Sequence, residues 1–366
     1  MYMKKDFRGD ALPSKTLSLT FDDGPGKTIG PGSGPRTMQL ANYLFSQDIQ
    51  ATFFVVGKYA AQFPDILSKL NDQGHLIGNH TFDHPNLIEF LIAGGDPEEQ
   101  ILRTDSVIQH WVDGPTIYFR PPYGSWSDDI ADTLNRSLLV SMNHVGPIDW
   151  DIDGGDWAYW KDGTSVDLAV ESYLNKIQAQ DHGIILNHDC TAEQDIVKDN
   201  NRTLLLIRKL IPKLKTLGYD FVRIDEINEI QTAANAPIEF ALLASNGKYV
   251  SAQNGGGERI LVDGPAVGPW EPIAVVDMGY GKVALRAPNG LFYSPQDGGG
   301  EGSEVLANGP AIGLWEPLDL IQLKNGKVAF RTVRGHYLSR ETDAGGSLVS
   351  RPGMNDWEQF IYCPVT

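Results

Sequence analysis

The sequence predicts an α/β domain followed by an all-β domain. Its 366 residues exceed the size at which a single hydrophobic core usually continues to grow, so two domains are expected. Between residue 17 and about residue 225, short apolar segments alternate with longer amphipathic segments, whereas three copies of one short unit recur after residue 237. We therefore predict domains at 1–230 and 237–366, joined by the polar, proline-terminated linker 228–237.

The α/β prediction depends on the alternation of segment types. Short apolar segments bounded by polar residues are typical of buried strands, and amphipathic segments that open with Asp, Ser or Pro are typical of helices. The predicted strands are 17–21, 51–56, 75–79, 116–119, 138–142, 183–187 and 220–224. The predicted helices lie near 37–46, 64–72, 96–112, 127–135, 166–180 and 202–217. This repeated alternation predicts a parallel sheet that closes, or nearly closes, into a barrel.

The all-β prediction depends on an internal repeat. The three copies are residues 240–251, 283–294 and 328–339. Trp270, Trp315 and Trp357 recur at the same position after each copy. Three copies are too few for a β-propeller, and the helical period is absent from this part of the sequence. Short strands joined by glycine turns in three copies predict instead a β-trefoil.

The composition excludes several classes of partner. The net charge is −17, and the part from residue 237 onward contains 10 Lys and Arg against 14 Asp and Glu. An acidic surface repels nucleic acid, but it tolerates neutral sugars and attracts amines.

No apolar segment approaches the roughly 18 residues that span a bilayer, and residues 1–10 do not resemble a signal peptide. Cys190 and Cys363 fall one in each predicted domain, so no disulfide framework is predicted.

Polar clusters follow four of the predicted strands, at the point where each strand ends. The first is Asp22-Asp23, and the others occupy residues 80–84 (HTFDH), 120–124 (RPPYG) and 186–189 (LNHD). The active site of a parallel barrel is built from the loops at the carboxyl ends of its strands, so these clusters are predicted to meet. Adjacent residues on a strand point to opposite faces, which predicts that one Asp binds a metal and the other moves protons.

A metal site is predicted from the two histidines of the second cluster. His80 and His84 are four residues apart and would share one face of a helical turn. With one carboxylate of the Asp pair they form an Asp-His-His set, which suits Zn²⁺ and leaves Co²⁺, Mn²⁺ and Ni²⁺ as alternatives. Residue 81 is Thr rather than Glu, which excludes the helical motif of zinc peptidases.

The remaining groups fit the proton transfers of a metal-assisted hydrolysis. The second Asp can act as base and His188 as acid, while Arg120 can pair with the base and hold it ionised. A backbone N–H of the turn 121–124 can donate to an oxyanion. The segment 149–157 (DWDIDGGDW) offers carboxylates that orient Arg or His beside an aromatic wall for a sugar ring. A glycosidase would need its two carboxyls roughly 5–10 Å apart across the scissile bond, which neighbouring residues do not suit.

Five motifs in order give the chain a resemblance to a known family. They are TFDDGP at 20–25, HTFDH at 80–84, RPPYG at 120–124, DGGDW at 153–157 and LNH at 186–188. The chain from about residue 15 to about residue 225 therefore resembles the polysaccharide deacetylase (NodB-homology) family of carbohydrate esterases, whose fold is a distorted (β/α) barrel. In the C-terminal part, Trp-Glu-Pro and Trp-Glu-Gln stand where ricin-type lectins have Gln-x-Trp, so the predicted trefoil resembles fascin-like modules.

The resemblance implies a role for each matching position. It implies Asp22 as general base, Arg120 as the residue that orients it, and His188 as general acid. It implies that Asp153 or Asp156 tunes His188 or Arg120, without assigning which. It also implies Asp23, His80 and His84 as metal ligands and the backbone N–H of Tyr123 as the donor to the oxyanion. It further implies that Leu186 forms the wall of the acetyl-methyl pocket and that Trp157 lines the sugar groove.

The sequence thus predicts a metal-dependent deacetylase that hydrolyses the N-acetyl groups of GlcNAc-containing glycans of the chitin, chito-oligosaccharide or peptidoglycan type. Two alternatives stay open: an O-acetyl esterase on acetylxylan-like polysaccharide, and a non-catalytic protein that binds glycan through the trefoil. The expected partner is an acetylated poly- or oligosaccharide, the expected state is monomeric, and the trefoil is expected to bind glycan or to act as a docking module. Because such polymers lie outside the cell, a secreted or cell-surface location is expected, with a cytoplasmic one as the alternative.

Overall fold

The chain divides into two compact units. The computed structural model describes residues 2–26, 36–112, 114, 116–190, 202–236, 238–279, 281–323, 325–343 and 345–365, with only the backbone of residues 3, 4 and 345. One unit, here called the α/β unit, comprises Tyr2–Ala131 and His144–Asn235. The other, here called the β unit, comprises Asp132–Asn143 and Ala236–Thr366.

Strands and helices alternate along the chain as far as Asn235. The strands are β1 (Tyr2–Phe7), β2 (Thr16–Asp22), β3 (Thr52–Val55), β4 (Leu76–Asn79), β5 (Ile117–Tyr118), β6 (His144–Ile148), β7 (Ile152–Asp153), β8 (Gly183–His188) and β9 (Asp220–Phe221). The helices are α1 (Arg36–Ser46), α2 (Gly57–Ala60), α3 (Pro64–Asp72), α4 (Leu87–Ile92), α5 (Pro97–Ile108), α6 (Asp128–Asn135), α7 (Leu138–Asn143), α8 (Asp156–Lys161), α9 (Val166–Gln180), α10 (Arg202–Thr216) and α11 (Asn228–Asn235). Single turns of 3₁₀ helix occupy Gln109–Trp111, Pro122–Gly124 and Ile224–Glu226. None of the described helices is long and apolar enough to cross a lipid bilayer.

The strands of the α/β unit are parallel. One sheet has the order β1-β6-β5 and another the order β4-β3-β2-β8-β7, with β9 also paired to β2. An isolated parallel bridge between Asn79 and Phe119 links the β4 and β5 edges. The strands thus follow one another as β1-β6-β5-β4-β3-β2-β8-β7, and no ladder joins β7 to β1 in the described residues. The α/β domain predicted from the sequence is confirmed.

The core of the α/β unit is made by strands buried on both faces and by helices buried on one. Every residue of β2 from Leu17 to Asp22 is buried, as is typical of a parallel strand covered on both sides. Along α10, the completely buried residues Ile207, Leu210 and Leu214 recur at helical spacing. Each buried side chain of this size stabilises the folded state by about 1.5–3 kcal/mol before entropy is counted.

The predicted strand 138–142 is wrong, because these residues begin helix α7. The strand of this region is β6, which starts at His144 and pairs with β1 and β5. Within the β unit, Leu138 is completely buried in the core, and Ser141 Oγ lies 3.0 Å from Tyr362 OH. In an apolar segment this short, the spacing of the hydrophobic residues does not distinguish a strand from a buried helix. Packing within the β unit therefore determines that these residues form a helix.

The predicted linker 228–237 is also wrong for most of its length. Residues 228–235 form helix α11, and residue 237 lies outside the described residues. Ile227 and Ile230 are buried, and Ala233 and Ala234 pack against the same cluster of the α/β unit. These apolar positions recur at helical spacing, and this packing outweighs the polar, turn-forming composition of the segment.

Besides β6, two strands of the α/β unit were not predicted. Strand β1 contains the consecutive charged residues Lys4, Lys5 and Asp6, which conceal its β character in the sequence. Strand β7 is only two residues long, Ile152 and Asp153, and pairs with β8. Both strands depend on partners that are distant in sequence, so local composition cannot indicate them.

The β unit is built from antiparallel strands. They are β10 (Ile238–Leu243), β11 (Tyr249–Ala252), β12 (Ile260–Gly264), β13 (Ile273–Gly279), β14 (Lys282–Arg286), β15 (Phe292–Pro295), β16 (Val305–Gly309), β17 (Leu318–Gln322), β18 (Lys327–Arg331), β19 (Tyr337–Thr342), β20 (Gly345–Arg351) and β21 (Phe360–Pro364). Strands β10, β13, β14, β17, β18 and β21 pair in that order, and β21 pairs with β10 to close a ring. The remaining strands form the hairpins β11–β12, β15–β16 and β19–β20.

The three sequence repeats correspond to three sets of strands in the β unit. The first repeat supplies β10–β13, the second β14–β17 and the third β18–β21. Equivalent apolar residues fill the core: Phe240, Val283 and Val328 share one position of the repeat and are all completely buried. The all-β domain predicted from the sequence is confirmed.

His75, which precedes β4, is a buried histidine whose two ring nitrogens are both satisfied in the neutral state. Ala51 N–H donates to Nδ1 at 3.1 Å, and Nε2 lies 3.3 Å from the Ala41 carbonyl. Burial lowers the pKa of His75 to about 4, although the hydrogen bond to Ala41 opposes the shift. Protonation would place a second N–H against the amide of Ala51, so the folded state requires neutral imidazole.

We expect His75 to make the folded chain sensitive to acid. Its folded-state pKa is depressed, so its stabilising effect is full above the unfolded pKa of about 6.5 and is lost as the pH falls towards 4. From this group alone, the free energy of unfolding should be about 2 kcal/mol lower at pH 5 than at pH 7. Urea unfolding of the wild type and of His75→Gln at both pH values measures the difference. An equal loss in the two proteins, or an NMR titration of the His75 ring near 6.5, would contradict the assignment.

Candidate active site

The polar clusters that follow β2, β4, β5 and β8 lie at one end of the parallel strands. In the register between β2 and β8, Asp22 is the partner of His188. An isolated bridge joins the last residue of β4 to the residue after β5. The next residues along the chain, His80 and Arg120, are linked by a hydrogen bond of 2.7 Å from the His80 ring to the Arg120 carbonyl. The structure therefore brings together the strand ends that the sequence analysis singled out.

Asp23, His80 and His84 form a group that could hold a metal ion, here called the Asp-His-His group. One ligand atom from each residue lies within 4.8 Å of the others. Asp23 Oδ1 lies 3.5 Å from His80 Nε2 and 3.0 Å from His84 Nε2. Burial raises the pKa of Asp23, but hydrogen bonds from the two histidines outweigh it and hold the pKa well below its usual range. The carboxylate is therefore ionised, as a metal ligand must be.

The protonation pattern of the Asp-His-His group fits a divalent metal. A carbonyl oxygen can only accept, so His80 Nδ1 carries the proton that is donated to Arg120, and Nε2, on the side of Asp23, is the nitrogen available to a metal. His84 also turns Nε2 towards Asp23, while its buried Nδ1 has no hydrogen-bond partner in the described structure. Two imidazole nitrogens and one carboxylate oxygen that converge in this way form a common donor set for divalent metals.

His80 and His84 lie on an irregular loop and not on the helical turn that their spacing suggested. Thr81 and His84 have φ angles of 65° and 63°. The Asn79 side chain accepts from the Thr81 N–H at 2.8 Å, and the Thr81 hydroxyl accepts from the His84 N–H at 3.2 Å. These local bonds fold the loop back, so that the centroids of the two imidazole rings are 5.0 Å apart. The rings converge as predicted, but for a different reason.

Arg120 is completely buried and orients the carboxylate of Asp22. Its Nη1 donates to Asp22 Oδ1 at 2.8 Å and to Thr20 Oγ1 at 2.6 Å. Nε and Nη2 donate to the carbonyls of Ile148 and Asp149, each at 3.0 Å. A buried ion pair is tolerated when further hydrogen bonds satisfy both partners, and this guanidinium meets that condition. The structure thus pairs Arg120 with Asp22, while Asp23 faces the histidines.

His188, at the end of β8, is held by Asp156 at the start of α8. Asp156 Oδ1 lies 2.8 Å from His188 Nδ1, and Oδ2 accepts from the His188 backbone N–H at 2.8 Å. Burial lowers the pKa of His188, but Asp156, together with Asp23 and Asp22, raises it to about 10. His188 is therefore an imidazolium at neutral pH, with Nδ1 committed to Asp156 and Nε2 available as a proton donor.

Asp153 contacts neither of the residues that it was expected to tune. Within the described residues, its Oδ1 accepts from the Gly155 N–H at 2.7 Å and closes the turn after β7. The donors of Arg120 are already used by Asp22, a hydroxyl and two carbonyls, and the ring of His188 is oriented by Asp156. The two carboxylates of the DGGDW motif therefore differ: Asp156 contacts His188, and Asp153 fixes the backbone.

The residues proposed to contact substrate lie around these groups. Tyr123 sits in the 3₁₀ turn after Arg120 with a φ of 61°, is 60 % exposed, and places its ring centroid 4.7 Å from that of His84. Trp157, the second residue of α8, is 47 % exposed. Leu186 is buried in β8, where its carbonyl accepts from the hydroxyl of Tyr173 at 2.8 Å. Tyr123 and Trp157 thus present aromatic surface to solvent, and Leu186 does not.

Asp189 is a buried carboxylate of this region to which the sequence analysis gave no role, although it belongs to the fourth polar cluster. Its Oδ2 accepts from the Thr37 hydroxyl, which itself accepts from the Gly26 N–H at 2.9 Å. Burial, with a contribution from Asp23, raises the pKa of Asp189 to about 7, against the effect of the Thr37 hydrogen bond. A Cβ at Gly24 would collide with the Asp189 carboxylate, so the glycine of TFDDGP makes room for it. The signal that the sequence offers for Asp189 is its position directly after His188.

Comparison with known proteins finds similar sequences over part of the chain. A family model described as polysaccharide deacetylase matches residues 9–138. A chitooligosaccharide deacetylase of Azorhizobium caulinodans is 32 % identical over 212 residues, which cover 56 % of this chain and 90 % of that protein. A peptidoglycan-N-acetylglucosamine deacetylase, PgdA, of Listeria monocytogenes is 29 % identical over 217 residues, which cover 59 % of this chain and 40 % of that protein.

Solved structures give matches over a similar share of the chain. The crystal structure of the Bc1960 peptidoglycan N-acetylglucosamine deacetylase has 27 % identity and a TM-score of 0.47, and it covers 61 % of this chain and 92 % of the matched chain. The peptidoglycan deacetylase PdaC from Bacillus subtilis has 29 % identity and a TM-score of 0.44, with coverages of 60 % and 93 %.

Replacing the partner of His188 should change its protonation at neutral pH. In Asp156→Asn the largest of the charges that raise the pKa is lost while burial remains, so we expect the pKa of His188 to fall well below about 10, although Asp23 and Asp22 still raise it. NMR titration of the His188 ring in the metal-free protein measures the shift directly. Asp162→Asn, an exposed aspartate at the end of the same helix, is the matched control. A His188 midpoint unchanged in Asp156→Asn would contradict the assigned pairing.

Proposed function

Because the chain belongs to the polysaccharide deacetylase family, we propose that it is a metal-dependent hydrolase that removes N-acetyl groups from GlcNAc-containing glycans of the chitin, chito-oligosaccharide or peptidoglycan type. One observation carries the proposal: Asp22, held by Arg120, lies beside the Asp-His-His group and opposite His188 in the β2–β8 register. A base, a donor set for a metal and an acid are thus present in one buried site. The names of its relatives support the same substrate class.

The Asp-His-His group would hold the metal through Asp23 Oδ1, His80 Nε2 and His84 Nε2. Two nitrogen ligands and one oxygen ligand suit Zn²⁺, with Co²⁺, Mn²⁺ and Ni²⁺ as alternatives. Such an ion supplies Lewis acidity, which polarises the amide carbonyl and acidifies water. The Arg120 carbonyl fixes the orientation and tautomer of the His80 ring in advance.

Asp22 would take the proton of the attacking water. Its Oδ1 is engaged by Arg120, and its Oδ2 lies 3.8 Å from His80 Nε2, on the side of the Asp-His-His group. We assign Oδ2 as the proton acceptor, because the Arg120 contact holds the carboxylate rigidly in the one orientation that exposes this oxygen to the site. The oxygen of the water bonds to the carbonyl carbon of the acetamido group as its proton passes to Asp22.

His188 would supply the proton that the leaving amine needs. The Asp156 contact keeps the imidazole charged and fixes Nδ1, so that Nε2 carries the transferable proton. This proton goes to the nitrogen of the tetrahedral intermediate, the C–N bond breaks, and acetic acid and the free amine of the sugar leave. Asp22 then gives the proton it took from the water to solvent, and His188 takes one back, so both residues are restored. The products balance the amide and the water that enter.

Three further residues would shape the reaction around the acetyl group. The Tyr123 backbone N–H, held in a left-handed turn, would donate to the oxygen that becomes negative in the transition state. Leu186 would wall the pocket of the acetyl methyl group, and Trp157 would line the groove for the sugar ring.

We further propose that the β unit is a β-trefoil of the fascin-like type. The ring of paired strands and the three hairpins support this assignment, because each of the three repeats supplies two strands of the ring and one hairpin.

We also propose that the protein acts at the cell surface or after secretion, because chitin and peptidoglycan are extracellular polymers.

Asp22→Asn should separate metal binding from catalysis. Asn keeps the shape of Asp but cannot accept the proton, so acetate release from chitopentaose should fall by about 100- to 10,000-fold. The metal content from elemental analysis should stay the same, because Asp22 is not part of the Asp-His-His group. The matched control is Asp83→Asn, an exposed aspartate of the histidine loop. Full activity of Asp22→Asn would reject the base assignment, and acetate release from acetylxylan but not from chitopentaose would reject the substrate class.

His80→Ala should remove the metal. Loss of a direct ligand should weaken metal affinity by more than the roughly 10- to 100-fold that follows loss of a partner of a ligand. Zn²⁺ titration of the metal-free protein by calorimetry measures the affinity, and His110→Ala, at an exposed histidine, is the control. The same Zn²⁺ affinity in His80→Ala and in the wild type would reject the ligand set.

A further inference from the structure

The third repeat of the β unit shows a tryptophan whose face is covered by cations. The Arg340 guanidinium carbon lies 4.6 Å from the ring centroid of Trp357, and that of Arg351 lies 5.5 Å away. Arg340 is itself buried and donates to the carbonyls of Thr342 and Asp343. The position before the last strand of a repeat can therefore present an indole face to a ligand group, and here the chain supplies that group itself.

The equivalent tryptophans of the first two repeats are exposed. Trp270 is 38 % exposed and Trp315 is 40 % exposed. No cation–π or ring contact covers either indole in the described part of the chain. In place of Arg340, the first two repeats have Ala252 and Pro295, whose side chains carry no charge. These two repeats thus keep the aromatic surface but lack a cation at the position of Arg340.

The loops that carry the tryptophans are held rigidly. The residue after each tryptophan is a buried glutamate: Glu271, Glu316 and Glu358. Each accepts through Oε2 from the backbone N–H three residues earlier, at 2.7 Å, 2.8 Å and 2.7 Å respectively. Glu316 Oε1 also accepts from the Ser294 hydroxyl at 2.6 Å. A rigid aromatic side chain can bind a ligand with little loss of conformational entropy.

The surroundings of the two exposed tryptophans are mixed apolar and polar. Leu314 is 85 % exposed and Val333 is 50 % exposed. A Cβ placed at Gly298 would lie 3.5 Å from the Trp315 ring and from the Arg334 side chain, and 3.3 Å from Val333, so all three groups border this glycine. Pro272, two residues after Trp270 in the sequence, lines a depression of about 270 Å³ whose other lining residues include some that can form hydrogen bonds: Glu239, Ala274, Arg286, Ala287, Pro288, Asn289 and Gly290.

We propose that Trp270 and Trp315 are stacking platforms for the sugar rings of a GlcNAc-containing glycan chain. A flat indole beside hydrogen-bonding side chains suits the apolar face and polar rim of a pyranose. A polymer of identical sugars presents the same sugar face at regular intervals, and the exposed tryptophan likewise occurs in two repeats of the β unit. The surface of a protein partner has no such regular repetition. The inference rests on the proposed function for the choice of glycan, since the α/β unit of the same chain is proposed to act on that polymer.

Binding to insoluble polymers tests the platforms without the need for acetate release. Depletion isotherms of the full chain on colloidal chitin and on purified peptidoglycan sacculi are compared with those of Trp270→Ala, Trp315→Ala and the double variant. Each single change should weaken binding, and the double change should weaken it by at least about tenfold, because two linked contacts act together. Double replacement by Phe should restore most of the binding.

Met278→Ala is the matched control, since Met278 is as exposed as Trp270 but lies on β13 rather than in a tryptophan loop. The inference is overturned if the wild type binds neither polymer, if the double variant binds as well as the wild type, or if Met278→Ala weakens binding equally. A chain that binds through the two tryptophans but releases no acetate would refute the proposed function and leave this inference standing.

Discussion

The buried guanidinium of Arg120 is the interaction on which the proposed site depends. It joins the end of β2, through Thr20 and Asp22, to the main chain at the end of β6, at Ile148 and the next residue, Asp149. The carbonyl of the same residue fixes the His80 ring. Removing one partner of a buried ion pair typically costs about 3–5 kcal/mol, because the other charge remains buried. Arg120 therefore cannot be changed without disturbing the strand ends, the base and the Asp-His-His group together.

The carboxylates of the site differ in their environments, and this separates their chemistry. Asp23 receives hydrogen bonds from two histidines, which hold its pKa well below the usual range. Asp189 is buried near the charge of Asp23 with a single hydroxyl donor, and its pKa rises to about 7. The charge of Asp156 is balanced by His188. A site with this many acidic groups is stable because each carboxylate has a cation or a donor, or can become neutral. A divalent ion in the Asp-His-His group would neutralise it further.

The sequence was sufficient to predict an α/β domain followed by an all-β domain, and to predict the residues that meet at the strand ends. The reason is that parallel strands in one sheet bring their carboxyl ends to the same edge, so Asp22 and His188 must lie close once β2 and β8 are neighbours. The segment 138–142 was not predictable from local pattern, because Leu138 is buried by the β unit rather than by the strands next to it in sequence. The geometry of the histidine loop was equally out of reach, since it depends on the left-handed backbone of Thr81 and His84.

The choice between Asp153 and Asp156 shows where sequence spacing stops being informative. Both precede α8 or begin it, and the motif alone treats them alike. Gly154 packs against the ring of Tyr173, where a side chain would collide, and Gly155 adopts a φ of 77°. These two backbone constraints turn the chain so that Asp156 begins α8 facing β8, while Asp153 remains at the end of β7. The contact between Asp156 and His188 is therefore a consequence of two glycines and of a tyrosine on α9, and the partner of the acid is selected by the path of the backbone.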